Sequence, residues 1–234
     1  MAQKGGGRGK QRRRREQVQY EELDKYPVMP PHAFARIVRD LRTLNIIYQV
    51  IEPPLTKKEE EVRSEIMDIF IQALTADIEE IDANPELYLR AAMDQIIKSY
   101  RLKVNKKSRS KIFYYLKRDL IGYGRMDVLM NDANVEDVSL DGTNIPIFAY
   151  HRKFESVETT ISWPDDPELE SYVIKLAQRC GKHISVAEPL LDATLMDGSR
   201  IVMKLGREVS TRGSTFCIRR FREDPFSPCD IVAF

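Results

Sequence analysis

The sequence predicts an α+β protein in which a helical unit precedes a sheet carrying helices on one side. Three observations point there. Residues 56–121 place apolar side chains at helical spacing in three successive runs. After Gly124 the pattern changes to short β-rich stretches separated by turn residues. One amphipathic stretch, Asp165 to Cys180, interrupts those strands.

Taken in order, residues 1–17 are rich in Gly, Lys and Arg without an apolar anchor, and read as a disordered basic tail. Residues 18–55 contain Tyr26-Pro27, Pro30-Pro31 and Pro53-Pro54. Between them Ile46 to Ile51 is β-branched and aromatic, so a strand is expected there, ended by Pro53. Thr56 and Glu59 have capping-box spacing and open a helix from Thr56 to Asp82. Its stripe is Val62, Ile66, Ile69, Phe70, Leu74, Ile78 and Ile81. Asn84-Pro85 caps a second helix that carries Leu87, Ala91, Ile96, Ile97 and Tyr100. The polar, basic stretch RLKVNKKSRSK leads to a third helix, Ser108 to Ile121, with Ile112, Phe113, Leu116 and Leu120, ended by Gly122.

VEDVSLDG, NIPIFAYHR and VETTISW then read as strands, with Asp141-Gly142 as a turn. The helix from Asp165 to Cys180, which Asp165 or Asp166 can cap, has Leu169, Tyr172, Val173, Leu176 and Ala177 on one side, and Gly181 ends it. Short strands follow around Thr194–Leu195, over Arg200–Leu205 and over Thr215–Arg219, with Asp197-Gly198 turning before Arg200. The expected organisation is a basic tail (1–17), a strand plus three-helix subdomain (18–121), an α+β domain (122–222) and a linker (223–234).

Apolar content of 42% and charged content of 31% fit a soluble globular protein. No apolar run is long enough for a membrane span, and no apolar core follows the basic start as in a signal peptide. Cys180, Cys217 and Cys229 are odd in number and match no zinc spacing, which points to packed or surface thiols in a reducing compartment. The net charge of +1 hides an asymmetry. Seven cations lie in the first 15 residues, and without them 30 basic residues face 36 acidic ones, a charge near −6. Such a tail on an acidic body is an interaction element, for anionic lipid or nucleic acid, or a solvated solubility tail.

No phosphate-binding loop is found. KGGGRGKQ (residues 4–11) has Lys4 where the first glycine belongs, Gln11 where a hydroxyl must hold magnesium, and no preceding strand. His183, Ser185, Glu188 and Asp192 are close in sequence, but no nucleophile elbow frames a serine, and His183 reads as a packing or capping residue. His32, His151 and His183 lack paired ligand spacing, so no metal site is expected. The arginines remain: Arg200 opens a strand, Arg219 closes one, and Arg207, Arg212 and Arg220 lie near. Guanidinium groups match phosphate oxygens and keep their charge, although on chemistry alone arginines at strand ends are more often plain surface charges.

The words NIIYQVIEPPLT, GYGRMDVLMNDANVEDVSLDG, PIFAYHRKF, KLAQRCGKHISVAEPLLDATLMDGSRI and RGSTFCIRRF occur in order from Ile46 to the end. Together they resemble the N-terminal region of archaeal type II/IV secretion ATPases, the GspE-, PilT- and FlaI-like hexameric motors of pili, archaella and secretion systems. The resemblance implies a PAS-like α+β domain after the three-helix unit, and a RecA-like ATPase domain absent from this sequence. It implies ATP and Mg as ligands, bound mainly by that missing domain. It makes Arg200, in DGSRI, and Arg219, in FCIRRF, the arginines that reach the terminal phosphate when the N-domain closes. Arg220 should face the other way, and Arg207 and Arg212 are secondary candidates for the same site or for subunit contacts. No catalytic residue is expected within this chain, so the parent protein hydrolyses ATP and this chain alone does not. The implied partners are five further copies in a homo-hexamer, a membrane platform protein and, indirectly, pilin-like substrates; nucleic acid is not expected. The implied location is cytoplasmic, at the inner face of the cell membrane. The hinge should lie after Phe221, where Pro225 and Pro228 favour an extended linker. The competing reading is a stand-alone docking module that binds a partner ATPase, nucleic acid or anionic membrane through the basic tail.

Overall fold

The computed structural model describes residues 19–73 and 84–221. Strands β1 (Tyr20–Met29), β2 (Ala33–Asp40) and β3 (Ile46–Ile51) come first. Helices α1 (Lys57–Ala73), α2 (Pro85–Ser99), α3 (Lys106–Leu120) and the short α4 (Asp127–Asn131) follow. Then come β4 (Val135–Leu140), β5 (Pro146–His151) and β6 (Glu155–Ser162), α5 (Asp166–Arg179), and β7 (Leu190–Thr194), β8 (Arg200–Lys204) and β9 (Thr215–Arg219). All nine strands join one sheet in the order β1-β2-β3-β6-β5-β4-β9-β8-β7. Among the described residues only the β3–β6 pair is parallel. The protein is therefore α+β, as its sequence predicts, and no RecA-like ATPase domain is evident among the described residues.

The local signals act as their chemistry requires. The Thr56 amide donates to Glu59 Oε2 at 2.8 Å and the Glu59 amide to Thr56 Oγ1 at 3.3 Å, closing the capping box of α1. Asn84 Oδ1 accepts from the Leu87 amide and Asp165 Oδ1 from the Glu168 amide, starting α2 and α5. Helix α3 begins earlier than Ser108, because Asn105 Oδ1 accepts from the Ser108 amide at 2.7 Å and makes Asn105 the cap.

The larger core lies on one face of the sheet. There Leu169, Val173, Leu176 and Ala177 of α5 meet Val138, Leu140, Ile147, Ala149, Ile201, Met203, Phe216 and Ile218. Ile37 and Tyr48 extend it into the first three strands. Helices α1–α3 enclose a second core of Ile66, Leu89, Met93, Ile96, Ile112 and Leu116. Arg118 joins this unit to the sheet, donating through Nη1 to both carboxylate oxygens of Glu52, at 3.0 and 2.8 Å.

Two strands, β1 and β2, were not expected from the prolines of residues 18–55. Pro27 is tolerated because β1 is an edge strand and its pairing is irregular between Pro27 and Met29. The expected tail (1–17), the linker (223–234), Cys229, and the end of the first helix with Leu74, Ile78 and Ile81 lie outside the described residues.

Candidate functional site

The β7–β8 turn positions the first arginine. Gly198 takes φ +84°, a conformation glycine adopts without strain, and Asp197 Oδ1 accepts from the Ser199 amide at 3.0 Å. Ser199 Oγ in turn accepts from the Phe221 amide at 3.0 Å, fixing the chain beyond β9 beside the turn. Strand alternation does the rest. Ile201 and Met203 of β8 and Phe216 and Ile218 of β9 point into the core, so Arg200, Val202, Cys217 and Arg219 point out.

Registers place Arg200 directly opposite Arg219, Thr194 opposite Arg200, and Asp137 opposite Arg219. Thr194, Arg200, Arg219, Asp137 and Tyr150 thus form one row across five strands, on the face away from α5. Like charges directly opposite on a sheet repel. Here each has an acidic neighbour: Arg200 Nη2 lies 3.1 Å from Asp192 Oδ2, and Arg219 Nε lies 3.1 Å from Asp137 Oδ1. The arginine side chains are 71% and 80% exposed, so these pairs contribute little stability. Each guanidinium has five N–H donors, and most remain available. Two such forks on adjacent strands can take the oxygens of one phosphate between them.

The other arginines are placed differently. Arg207 and Arg212 lie on the β8–β9 loop, at the far end of strands about 15 Å long. Arg207 donates to Asp166, which also accepts from the Thr143 hydroxyl. Those two bonds, Arg207 first, hold the Asp166 carboxyl below its usual range. The Arg212 carbonyl accepts from the Thr143 amide at 2.9 Å. Gly142, at φ +131°, allows this approach, since a Cβ there would sit 2.3 Å from that oxygen. Arg220 turns inward and donates to the carbonyls of Asp132 and Val135, the latter at 2.8 Å. Burial lowers its pKa, and its buried Nε has no partner among the described residues.

The serine–histidine–carboxylate group does not converge. The Ser185 amide donates to the Glu188 carbonyl and the Glu188 amide to Ser185 Oγ, closing a turn; His183 is exposed, and Asp192 is engaged with Arg200. No group of three His, Cys, Asp or Glu is arranged to hold a metal among the described residues. No helix among them is long and apolar enough to cross a membrane.

Sequence reasoning missed two features. Asp137 carries no motif, and its place beside Arg219 follows only from the β4–β9 register. A buried cluster was also not legible. The Tyr26 and Tyr48 hydroxyls donate to Asp132 Oδ2 at 2.6 and 2.7 Å, the Asn134 amide donates to Asp132 Oδ1 at 2.9 Å, and His151 Nε2 lies 3.0 Å from the Tyr26 hydroxyl. These positions are scattered along the chain and show no spacing signal.

No family model matches the chain. Three uncharacterized proteins of Methanocaldococcus jannaschii are similar to it. One is 42% identical over 164 residues, 70% of this chain and 65% of that protein. The others are 36% identical over 57% of this chain and 34% identical over 52% of it, and the matched parts are 24% and 16% of those proteins. The chain thus spans less than two thirds of the length of these relatives. Among solved structures it has a distant similarity to the VirB11 ATPase from the Brucella suis type IV secretion system in complex with sulphate. That likeness has a TM-score of 0.36 and 20% identity over 45% of this chain and 31% of the other, too slight to carry an argument.

Proposed function

We propose that this region is the N-terminal part of a hexameric ATPase that drives secretion or the assembly of a type IV pilus or archaellum. In this reading Arg200 and Arg219 close over the terminal phosphate of ATP, held with Mg by a RecA-like domain outside this sequence. The observation that carries it is the in-register, exposed arginine pair on the helix-free sheet face. The order of sequence words from Ile46 onward supports the same assignment. So does the occurrence of related sequence as a minor part of much longer proteins.

The mechanism follows from the geometry. With no nucleotide near, the guanidinium groups rest on Asp192 and Asp137 through exposed, weak pairs. When the sheet face approaches a triphosphate, the arginines exchange a solvated carboxylate for a more highly charged phosphate in a drier site, where the attraction strengthens. That difference in contacts favours the closed state only while the terminal phosphate is present, so hydrolysis releases the domain. In a ring, the opening and closing would act on a membrane platform protein and through it on pilin-like subunits. Arg207 and Arg212 contribute at subunit contacts, and Arg220 supports the fold.

The test is ATP turnover and nucleotide affinity of the assembled ring carrying this region, for wild type, Arg200→Ala and Arg219→Ala. Turnover should fall by about 10³-fold in each variant, with nucleotide affinity reduced about tenfold at most. Unchanged turnover in both would return the pair to surface charge.

A further inference from the structure

We propose that the end of the helical unit formed by the first turns of α1 and α3 and the C-terminus of α2 is a docking face for an anionic lipid surface. The face lies on the helical unit rather than on the open sheet and involves neither Arg200 nor Arg219.

Its charge is concentrated, although Arg109 and Lys111 are paired with Asp94 and Glu59. Residues 98–111 hold seven Lys or Arg and no acid, although the chain beyond its basic tail is net acidic. Lys98, Arg101, Lys103, Lys106 and Lys107 are all exposed. The first turn of α1 lies alongside: Lys111 Nζ donates to the Pro54 carbonyl at 3.0 Å and sits 3.6 Å from Glu59. This brings the exposed Lys57 and Lys58 to the same end, followed by Glu59, Glu60 and Glu61, so the net positive charge of the face comes from residues 98–111.

Local stability argues against this arrangement. Lys106 and Lys107 occupy the first turn of α3, where the helix dipole is positive; that turn has no acid of its own, and Glu59 of α1 reaches it through Ser108. A choice that opposes the helix it belongs to marks a surface kept for another purpose. The N-terminus of α3 adds its own positive end to the field. Between α2 and α3 a cleft of about 260 Å³ is lined by Arg90, Met93, Lys106, Arg109, Ser110 and Phe113, with Arg109 paired to Asp94.

The connecting loop is braced for docking. The Tyr100 amide donates to the Ile96 carbonyl and the Leu102 amide to the Ile97 carbonyl, both at 3.0 Å, across Arg101 at φ +54°. Leu102 and Val104 pack on the helical core, so the loop is ordered before it meets a partner. Tyr100 stands 56% exposed among the cations, an amphipathic ring of the kind that settles at headgroup depth. Nucleic acid fits this face less well. One aromatic makes no stacking platform for bases.

The experiment is co-sedimentation of the full chain with vesicles of phosphatidylcholine alone or mixed with phosphatidylglycerol, at low and high salt. Wild type should bind the anionic vesicles only, more weakly as salt rises. Joint Lys103→Gln, Lys106→Gln and Lys107→Gln substitution should weaken binding on the order of 100-fold, about fivefold per cation. Because two of these lysines oppose the helix dipole, that variant should melt no lower than wild type, which separates lost binding from lost fold. A second variant with Arg12 to Arg15 changed to Gln should keep most of the binding. The proposal is overturned if the triple variant binds like wild type, if only the Arg12–Arg15 variant loses binding, or if the chain binds duplex DNA and not vesicles. None of these readouts involves ATP, so failure here leaves the phosphate assignment standing.

Discussion

At the scale of single residues, the most constrained position is His151. It is 2% exposed, and its ring lies between the Lys153 amide, which donates to Nδ1 at 3.1 Å, and the Tyr26 hydroxyl at Nε2. An N–H facing Nδ1 requires that nitrogen to accept, so the network assigns the proton to Nε2. The Tyr26 hydroxyl then accepts from His151 and donates to Asp132. Burial lowers the His151 pKa from its usual 6.5; Asp132 and Asp24 oppose this and Lys153 assists it. A histidine whose folded pKa is depressed binds fewer protons folded than unfolded in the interval between the two values. Stability therefore falls as pH drops below about 6.5, and the loss levels off once pH is under the folded pKa. Protonation would also set a new N–H at Nδ1 against the Lys153 amide. The expected outcome is a denaturation midpoint that declines between pH 7 and pH 5 in wild type and is flatter in His151→Gln. Equal slopes in the two proteins would show that His151 does not carry the dependence.

Elements were legible wherever a cap or a period spoke locally. Asn84, Thr56 with Glu59, and Asp165 bond as their sequence positions suggest. The hidden determinants are those supplied from a distance. Gly122 follows α3 as expected, yet its reason is space: a Cβ there would lie 2.3 Å from Asp127 Oδ1. Carbonyls in the last turn of α3 and just beyond it find partners on α5. Arg179 donates to the Ile121 and Gly122 carbonyls and stacks over Tyr123 at 4.5 Å, while Lys175 donates to the Asp119 carbonyl. Cations at a helix C-terminus both satisfy orphan acceptors and oppose the negative dipole end. Arg179→Leu removes two charge-assisted bonds and should destabilise the protein by about 2–3 kcal/mol in urea denaturation. A loss below about 0.5 kcal/mol would mean that water serves those carbonyls equally well.

For the whole molecule, the α+β class and the separate helical core could be read from periodicity, because burial of one face imposes it on the sequence. The inclusion of β1–β3 in a nine-stranded sheet could not. Their attachment to the other six strands rests on two parallel pairings, Ile47 with Glu158 and Tyr48 with Thr159, which leave no pattern in either segment. The candidate site was readable for a related reason. Arg200 and Arg219 sit at turn-marked strand ends, whereas their acidic partners depend on register. The short seam at β3–β6 is reinforced by Asp132, which takes hydroxyls from β1 and β3 on one carboxylate oxygen and an amide from its own loop on the other. Both oxygens are acceptors, so an amide in this place must set a donor against either the tyrosines or the Asn134 N–H. Asp132→Asn should therefore cost about 3 kcal/mol and act on the seam before the rest. Amides of β1–β3 should exchange with solvent well ahead of those of β4, β5 and β9 in the variant, while in wild type the strands open together. Equal loss of protection across all strands would place the cohesion of the sheet in its backbone pairing and not in this buried carboxylate.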